Sequence, residues 1–201
     1  MIKLLGAVPN EVTVACSGGP DSMAAVDFFR AGRKNVAIAH FDHGTEHGIH
    51  ARDFVETYAA EAKLDIVVGE IRGEKPTGKS WEDWWRDQRY EFFRGLPGRL
   101  VTAHHLDDVA EWWVFSSLHG TSRLIPHSNG AVIRPFLSTP KARLVEWCDR
   151  HDVPYVIDPT NQAGPNMRAL LRNSIMPNVY TINPGLHRVL IRKLQENYGQ
   201  E

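Results

Sequence analysis

Six consecutive residues, Ser17-Gly18-Gly19-Pro20-Asp21-Ser22, combine the groups that a polyphosphate needs. They follow the apolar run Val12-Thr13-Val14-Ala15 and precede a helix-patterned stretch starting at Met23. Two adjacent glycines let the backbone adopt conformations closed to other residues and approach a ligand closely. Successive N–H groups can then point into one concavity, with the positive end of the helix dipole behind them. Ser17 and Ser22 add hydroxyl donors, and Asp21 offers a carboxylate for a Mg²⁺ accompanying the polyphosphate. The Lys-Ser or Lys-Thr pair that ends a Walker-type loop is missing, which argues against γ-phosphate handling of the kinase or GTPase kind.

Ala103-His104-His105-Leu106-Asp107-Asp108-Val109-Ala110-Glu111 is a second reactive grouping. On a helix beginning near Leu106, Asp108 and Glu111 share a face, with His105 at the helix start. A histidine with two carboxylates can bind a cationic amine, hold a metal or relay a proton. The plain alternative is a helix N-terminus whose acids are favoured by the dipole. A His/Asp/Glu metal hydrolase also competes, but it leaves Ser17–Ser22 without a role. In the third grouping, from Trp81 to Tyr90, Glu82, Arg86 and Arg89 lie at helical spacing. An arginine fork on that face suits phosphate oxygens, while Trp84 and Trp85 read as core and Glu82–Arg86 could be an ordinary surface pair.

Strand-length apolar runs alternate with longer helical patterns, which predicts βαβ units and a Rossmann-like parallel sheet with helices on both faces. The pattern predicts strands over residues 12–16, 36–41, 65–71, 100–103 and 131–133. Helices are expected over 21–31, 49–62, 81–94, 106–118, 139–151, 166–176 and 184–197. Thr139 is the expected N-cap of its helix, with Pro140 at the first position, and Asp158-Pro159-Thr160-Asn161 reads as a turn. Ligands of open parallel sheets bind at the carboxyl ends of strands. Ser17–Ser22, His40–Gly44 and His104–Asp108 each follow such an end, so a single cleft should collect all three.

At 201 residues the chain suits one domain with ample core. Cys16 and Cys148 form no CxxC pair, against both a disulfide framework and a cysteine zinc site. The first residues lack the pattern of a secretory signal, and no run approaches the roughly 20 apolar residues of a membrane span. A cytoplasmic protein is expected. Net charge is −1, but from Thr160 onward five basic residues face two acidic ones. That asymmetry fits an RNA-facing tail and equally a solvated helix face.

The loop Ser17–Ser22 resembles the PP-loop of N-type ATP pyrophosphatases, which cleave ATP between its α and β phosphates and adenylate an oxygen of a second substrate. From about residue 12 to 186 the chain resembles the tRNA(Ile)-lysidine synthetase family, in its catalytic domain. The resemblance adds His40-Phe41-Asp42-His43-Gly44, Glu82 with Arg86 and Arg89-Tyr90, Thr102 to Glu111, Ile133-Arg134-Pro135-Phe136-Leu137, Asp158-Pro159-Thr160-Asn161, and Arg168, Arg172 and Pro177. It implies an ATP-dependent ligase acting on the wobble cytidine of a CAU-anticodon tRNA. ATP adenylates the cytosine O2; the ε-amine of free L-lysine then attacks C2 and expels AMP. Ser17, Gly18, Gly19, Asp21 and Ser22 would hold phosphates and Mg²⁺, and Ala39, His40 and Asp42 would border the adenosine. His105 and Arg86 would face the α-phosphate, Asp108 and Glu111 would serve the lysine, and Arg168 would stand near them. Either carboxylate could take the amine proton. A homodimer is implied too. Residues 1–201 would form one such domain, with 160–201 its helical C-terminal part and no separate C-terminal tRNA-binding domain. Departures include Ala169 where the family commonly has Asn, and Trp112-Trp113 where Thr usually follows the glutamate. The competing readings are a PP-loop enzyme using another nucleophile, as in tRNA thiolation, and an RNA-binding module that has lost catalysis.

Overall fold

The structure is a computed structural model that describes residues 1–157 and 167–198; of Arg168 it describes the backbone only. The expected turn Asp158-Pro159-Thr160-Asn161 lies outside the described residues. Strands β1 (Glu11–Ala15), β2 (Asn35–Asp42), β3 (Asp65–Glu70), β4 (Leu100–Val101), β5 (Ser128–Asn129) and β6 (Val132–Ile133) form one sheet in the order β3-β2-β1-β4-β6-β5. Every pairing is parallel except β5 with β6. The chain lays β2 and β3 to one side of β1 and then returns to place β4 on the other side. That reversal opens a crevice at the carboxyl ends of β1 and β4.

Helices α1 (Pro20–Ala31), α2 (Glu46–Ala62), α3 (Trp81–Arg94), α4 (Leu106–Leu118) and α5 (Lys141–Arg150) cover both faces. Strand side chains alternate between the faces. Val14, Ile38, Val101 and Ile133 pack with α1, α2 and α5, while Ala39, Leu100 and Val132 pack with Phe93 of α3. A separate cluster joins Leu106, Val109 and Ala110 of α4 to Leu186, Leu190 and Leu194 of the final helix.

Two expected helix starts are corrected. Helix α2 starts at Glu46, because Thr45 caps it by accepting the Gly48 N–H at 3.0 Å. Pro140, not Thr139, is the N-cap of α5. The Thr139 hydroxyl instead donates to the Lys3 carbonyl at 2.6 Å and accepts the Lys3 N–H at 3.0 Å, tying the N-terminal segment to the connection ahead of α5. After residue 167 the chain runs through α6 (Met167–Leu170), a π-helical turn (Leu171–Ile175), α7 (Met176–Ile182) and α8 (Leu186–Tyr198). Pro177 has no N–H to donate, and the helical ladder widens just ahead of it.

Candidate active site

Ser22 organises the loop between β1 and α1. Its Oγ donates to the Gly19 carbonyl at 3.0 Å, accepts the Ser17 N–H at 3.2 Å and lies 3.3 Å from Ser17 Oγ. Gly18 has φ +80°, and a Cβ there would stand 3.0 Å from Val156 Cγ2, so only glycine suits both backbone and packing. Gly19 is the N-cap of α1 and supplies no side chain to cap it. The first N–H groups of α1 are therefore left for an anion.

Two chambers meet at this loop. The first, about 360 Å³, is lined by Ser17, Asp21 and Ser22 after β1, by Ala39, His40 and Phe41 in the last residues of β2 with His43 just beyond it, and by His104 and Asp108 after β4. Arg89, Tyr90 and Phe93 of α3 close it. All three strand ends thus open on one cleft. The second chamber, about 480 Å³, shares Ser17, Asp21 and Ser22 and adds Gly19, Lys141, Tyr155, Arg172 and Asn173.

Asp21 sits between them. Its Oδ2 lies 3.4 Å from Lys141 Nζ and 3.6 Å from His105 Nε2, while its buried Oδ1 has no hydrogen-bond partner. An unpaired carboxylate oxygen beside a phosphate loop fits Mg²⁺, which takes one or two carboxylates together with phosphate oxygens and water. Among the described residues no group of three or more His, Cys, Asp or Glu could hold a metal. Any ion here would therefore depend on the substrate's phosphates for much of its coordination.

His105 and Asp108 form a capping box at the start of α4. The Asp108 N–H donates to His105 Nδ1 at 3.2 Å, and the His105 N–H donates to Asp108 Oδ2 at 3.0 Å. With Nδ1 accepting, the neutral ring carries its proton on Nε2, facing Asp21. Burial opposes protonation of His105, but Asp108, Asp21 and Asp107 outweigh it and raise the pKa above the ordinary value. The opposite holds for His43 and His104. Burial first, then Arg89 for His43 and Arg134 with Arg89 for His104, brings each down to about 4. Their rings are neutral at physiological pH.

Glu111 is buried, and Arg172 of the π-helical turn grips it with Nε 2.7 Å from Oε1 and Nη2 2.9 Å from Oε2. Asp107 accepts the Lys141 N–H at 2.7 Å and so seats the start of α5 beside the loop.

The remaining expected residues fall in different places. His40 is buried with Nδ1 2.8 Å from the Cys16 carbonyl, and Ala39 lines the chamber. Asp42 lines neither chamber; its Oδ1 accepts the Gly44 N–H at 2.8 Å and shapes the turn after β2. Arg86 is exposed, stacks over the Tyr90 ring at 5.4 Å and lines neither chamber. Arg89, nearly one turn on, is the α3 arginine on the cleft. Arg168 has only its backbone described, in α6. Lys141 was not singled out from sequence, since a lysine opening a helix is an ordinary surface residue by pattern. Arg172 was visible only as part of the resemblance.

Curated relatives match almost the whole chain. A tRNA(Ile)-lysidine synthase of Francisella philomiragia is 27% identical over 208 residues, covering 94% of this chain and 51% of that protein. Proteins of the same name from Enterococcus faecalis and Thermotoga maritima are 30% and 29% identical, covering 94% and 91% of this chain and 45% and 48% of their own lengths. The chain thus spans about half the length of these relatives. The PP-loop domain family matches residues 3–179, a span that holds the whole sheet and the Ser17–Ser22 loop at its reversal point, and the chain belongs to that family.

Proposed function

We propose that this protein ligates free L-lysine to the wobble cytidine of a CAU-anticodon tRNA, with ATP cleaved to AMP and pyrophosphate. One observation carries the reading: the phosphate loop and Asp108 of α4 line one cleft, so an adenylated base formed at the loop stands within reach of an amine site. The names of the curated relatives supply the substrate class. The reading includes a cytoplasmic setting, where tRNA and ATP meet, and the homodimer that the resemblance implies. Among the described residues no helix is long and apolar enough to cross a membrane.

In the first step the cytosine O2 attacks the α-phosphorus and pyrophosphate leaves. Ser17, Gly19 and Ser22 hold the phosphates through N–H and hydroxyl donors, with Lys141 facing them across the second chamber. Asp21 would hold Mg²⁺, whose chemistry is to neutralise charge on the departing pyrophosphate. Arg89, in the place expected for Arg86, and His105 complete the positive surroundings of the α-phosphate. In the second step the lysine ε-amine attacks C2 and AMP departs. The amine is almost wholly protonated at neutral pH and must first lose a proton. Asp108, which lines the chamber, accepts it. Glu111 orients the amine site, since both its oxygens are held by Arg172.

Sulfur transfer is disfavoured because Cys16 and Cys148 are both buried. Burial raises the pKa of each, that of Cys148 to about 12. The test is mass spectrometry of nucleosides from a CAU-anticodon tRNA treated with protein, ATP, Mg²⁺ and lysine. Lysidine is expected. Pyrophosphate release with no lysine in the tRNA would exclude lysine as the nucleophile.

A further inference from the structure

A row of aromatic rings leads from solvent into the first chamber. Trp81, at the start of α3, is 56% exposed, and Lys75 Nζ lies over its ring at 5.5 Å. The Trp81 and Trp85 ring centres are 5.7 Å apart, Trp85 and His43 are 5.7 Å apart, and His43 and Phe41 are 5.1 Å apart. His43 and Phe41 line the chamber. Trp84, by contrast, is buried as core.

Two polar atoms in this row are buried without a hydrogen-bond partner: Trp85 Nε1 and His43 Nδ1. Most buried polar atoms in folded proteins are hydrogen-bonded, so two unpaired ones on adjoining rings leave two bonds for a partner to make. The indole N–H can only donate, whereas a neutral imidazole offers one donor and one acceptor. Between them they present π-faces and in-plane hydrogen-bonding sites without negative charge. At His43 the charge of Asp42 is outweighed by that of Arg89, which disfavours an ammonium group, and an apolar peptide or a second copy of the chain would leave both atoms unsatisfied. A planar heteroaromatic ring suits the row, and the Lys75 cation at its outer end suits a phosphodiester attached to that ring.

We infer that Trp81, Trp85 and His43 form a stacking entry for one unpaired nucleobase of an RNA, which they guide to the chamber edge at His43. This rests on the proposed function in taking that base to be the pyrimidine that is modified. Base-on-aromatic stacking tolerates any base, so the hydrogen-bonding atoms of Trp85 and His43 supply the preference. The adenine of ATP has the same chemistry, and the experiment separates the two sources.

The probe is an RNA hairpin whose loop contains CAU, with fluorescent pyrrolocytidine at the C. Wild-type protein should quench the probe, and a hairpin abasic at that position should bind at least tenfold more weakly. Trp81→Ala, at an exposed site, should raise the hairpin Kd about tenfold or more while leaving the ATP Kd unchanged. Trp85→Phe keeps a ring but loses the N–H; it should retain quenching and bind more weakly than wild type. Equal affinity for the abasic hairpin, or wild-type hairpin affinity in both tryptophan variants, would overturn the inference. So would ATP affinity falling in step with hairpin affinity, which would assign the row to adenine. Quenching without lysine incorporation would count against the ligase reading and for this site. Lysine incorporation by Trp81→Ala at the wild-type rate and KM for tRNA would do the reverse.

Discussion

Arg172 and Glu111 are joined at two points, by contacts of 2.7 and 2.9 Å, across 61 residues of sequence. Arg172 Nη2 also stands 3.7 Å from Asp108 Oδ1, so one guanidinium serves both carboxylates of the α4 face. Removing it would leave Glu111 buried and unpaired, the situation in which a lost ion-pair partner is costly. The Arg172 side chain is 39% exposed, so water can replace part of what is lost. Arg172→Ala should lower stability by about 2 kcal/mol, read as an earlier urea midpoint at unchanged slope. Arg172→Lys keeps the charge but not the fork and should recover only part of that loss.

Glu111 and the phosphate loop act in different steps of the proposed reaction. Glu111→Ala is expected to leave part of the tRNA-dependent pyrophosphate release and to block transfer of labelled lysine. Equal loss of both would contradict the assignment of Glu111 to the amine site.

Asp21 lines both chambers and leaves one oxygen without a hydrogen-bond partner. Asp21→Ala should abolish pyrophosphate release with or without lysine, while circular dichroism stays that of the parent. Release above a tenth of the parental rate would remove Asp21 from the metal and phosphate site.

Gly18 and Gly19 are adjacent, yet their substitution should differ. Alanine at Gly18 must hold φ near +80° with its methyl 3.0 Å from Val156 Cγ2 and 3.3 Å from Phe54 and Val55. That strain is expected to cost about 1–3 kcal/mol. Gly19 has φ −74°, and its nearest obstacle is Ser17 Oγ at 3.5 Å. Gly19→Ala should unfold near the parental urea midpoint and show its effect in the KM for ATP.

The depressed histidines predict a loss of stability in acid. His104 titrates near 4 in the native protein, chiefly because it is buried, against an ordinary value of 6.5. Its contribution is present above about 6.5 and is lost as pH falls toward 4, because the unfolded chain takes up a proton that the native state refuses. His43 acts in the same direction. His105 runs the other way: its raised pKa contributes fully below 6.5 and fades as pH rises through the folded value. Asn can keep a partner for Thr102, which lies 2.8 Å from His104 Nδ1. Unfolding free energies of His104→Asn from urea titrations at about pH 7 and about pH 4.5 should therefore differ less than those of the parent, by up to about 3 kcal/mol.

Features carried by neighbouring residues were legible in the sequence by itself. The strand–glycine loop–helix order around Ser17–Ser22 is local, and so are the bounds of α3 and α4, which match the pattern because Ser80 and His105 cap them within one turn. The meeting of three strand ends followed from chain order and the handedness of parallel connections. What tertiary structure decided are contacts whose partners lie far apart in the chain. Thr139 left its expected cap because Lys3 offers it both a donor and an acceptor. Arg89 lines the cleft while Arg86 is exposed, although both lie near Phe93's side of α3, so helical period alone does not choose between them. Lys141 reaches Asp21 only after Asp107 has seated α5, and Arg172 finds Glu111 only where the π-helical turn packs on α4. Periodicity and capping act over about one helical turn and can be read from sequence. A charge finds its partner through packing, which no local pattern encodes.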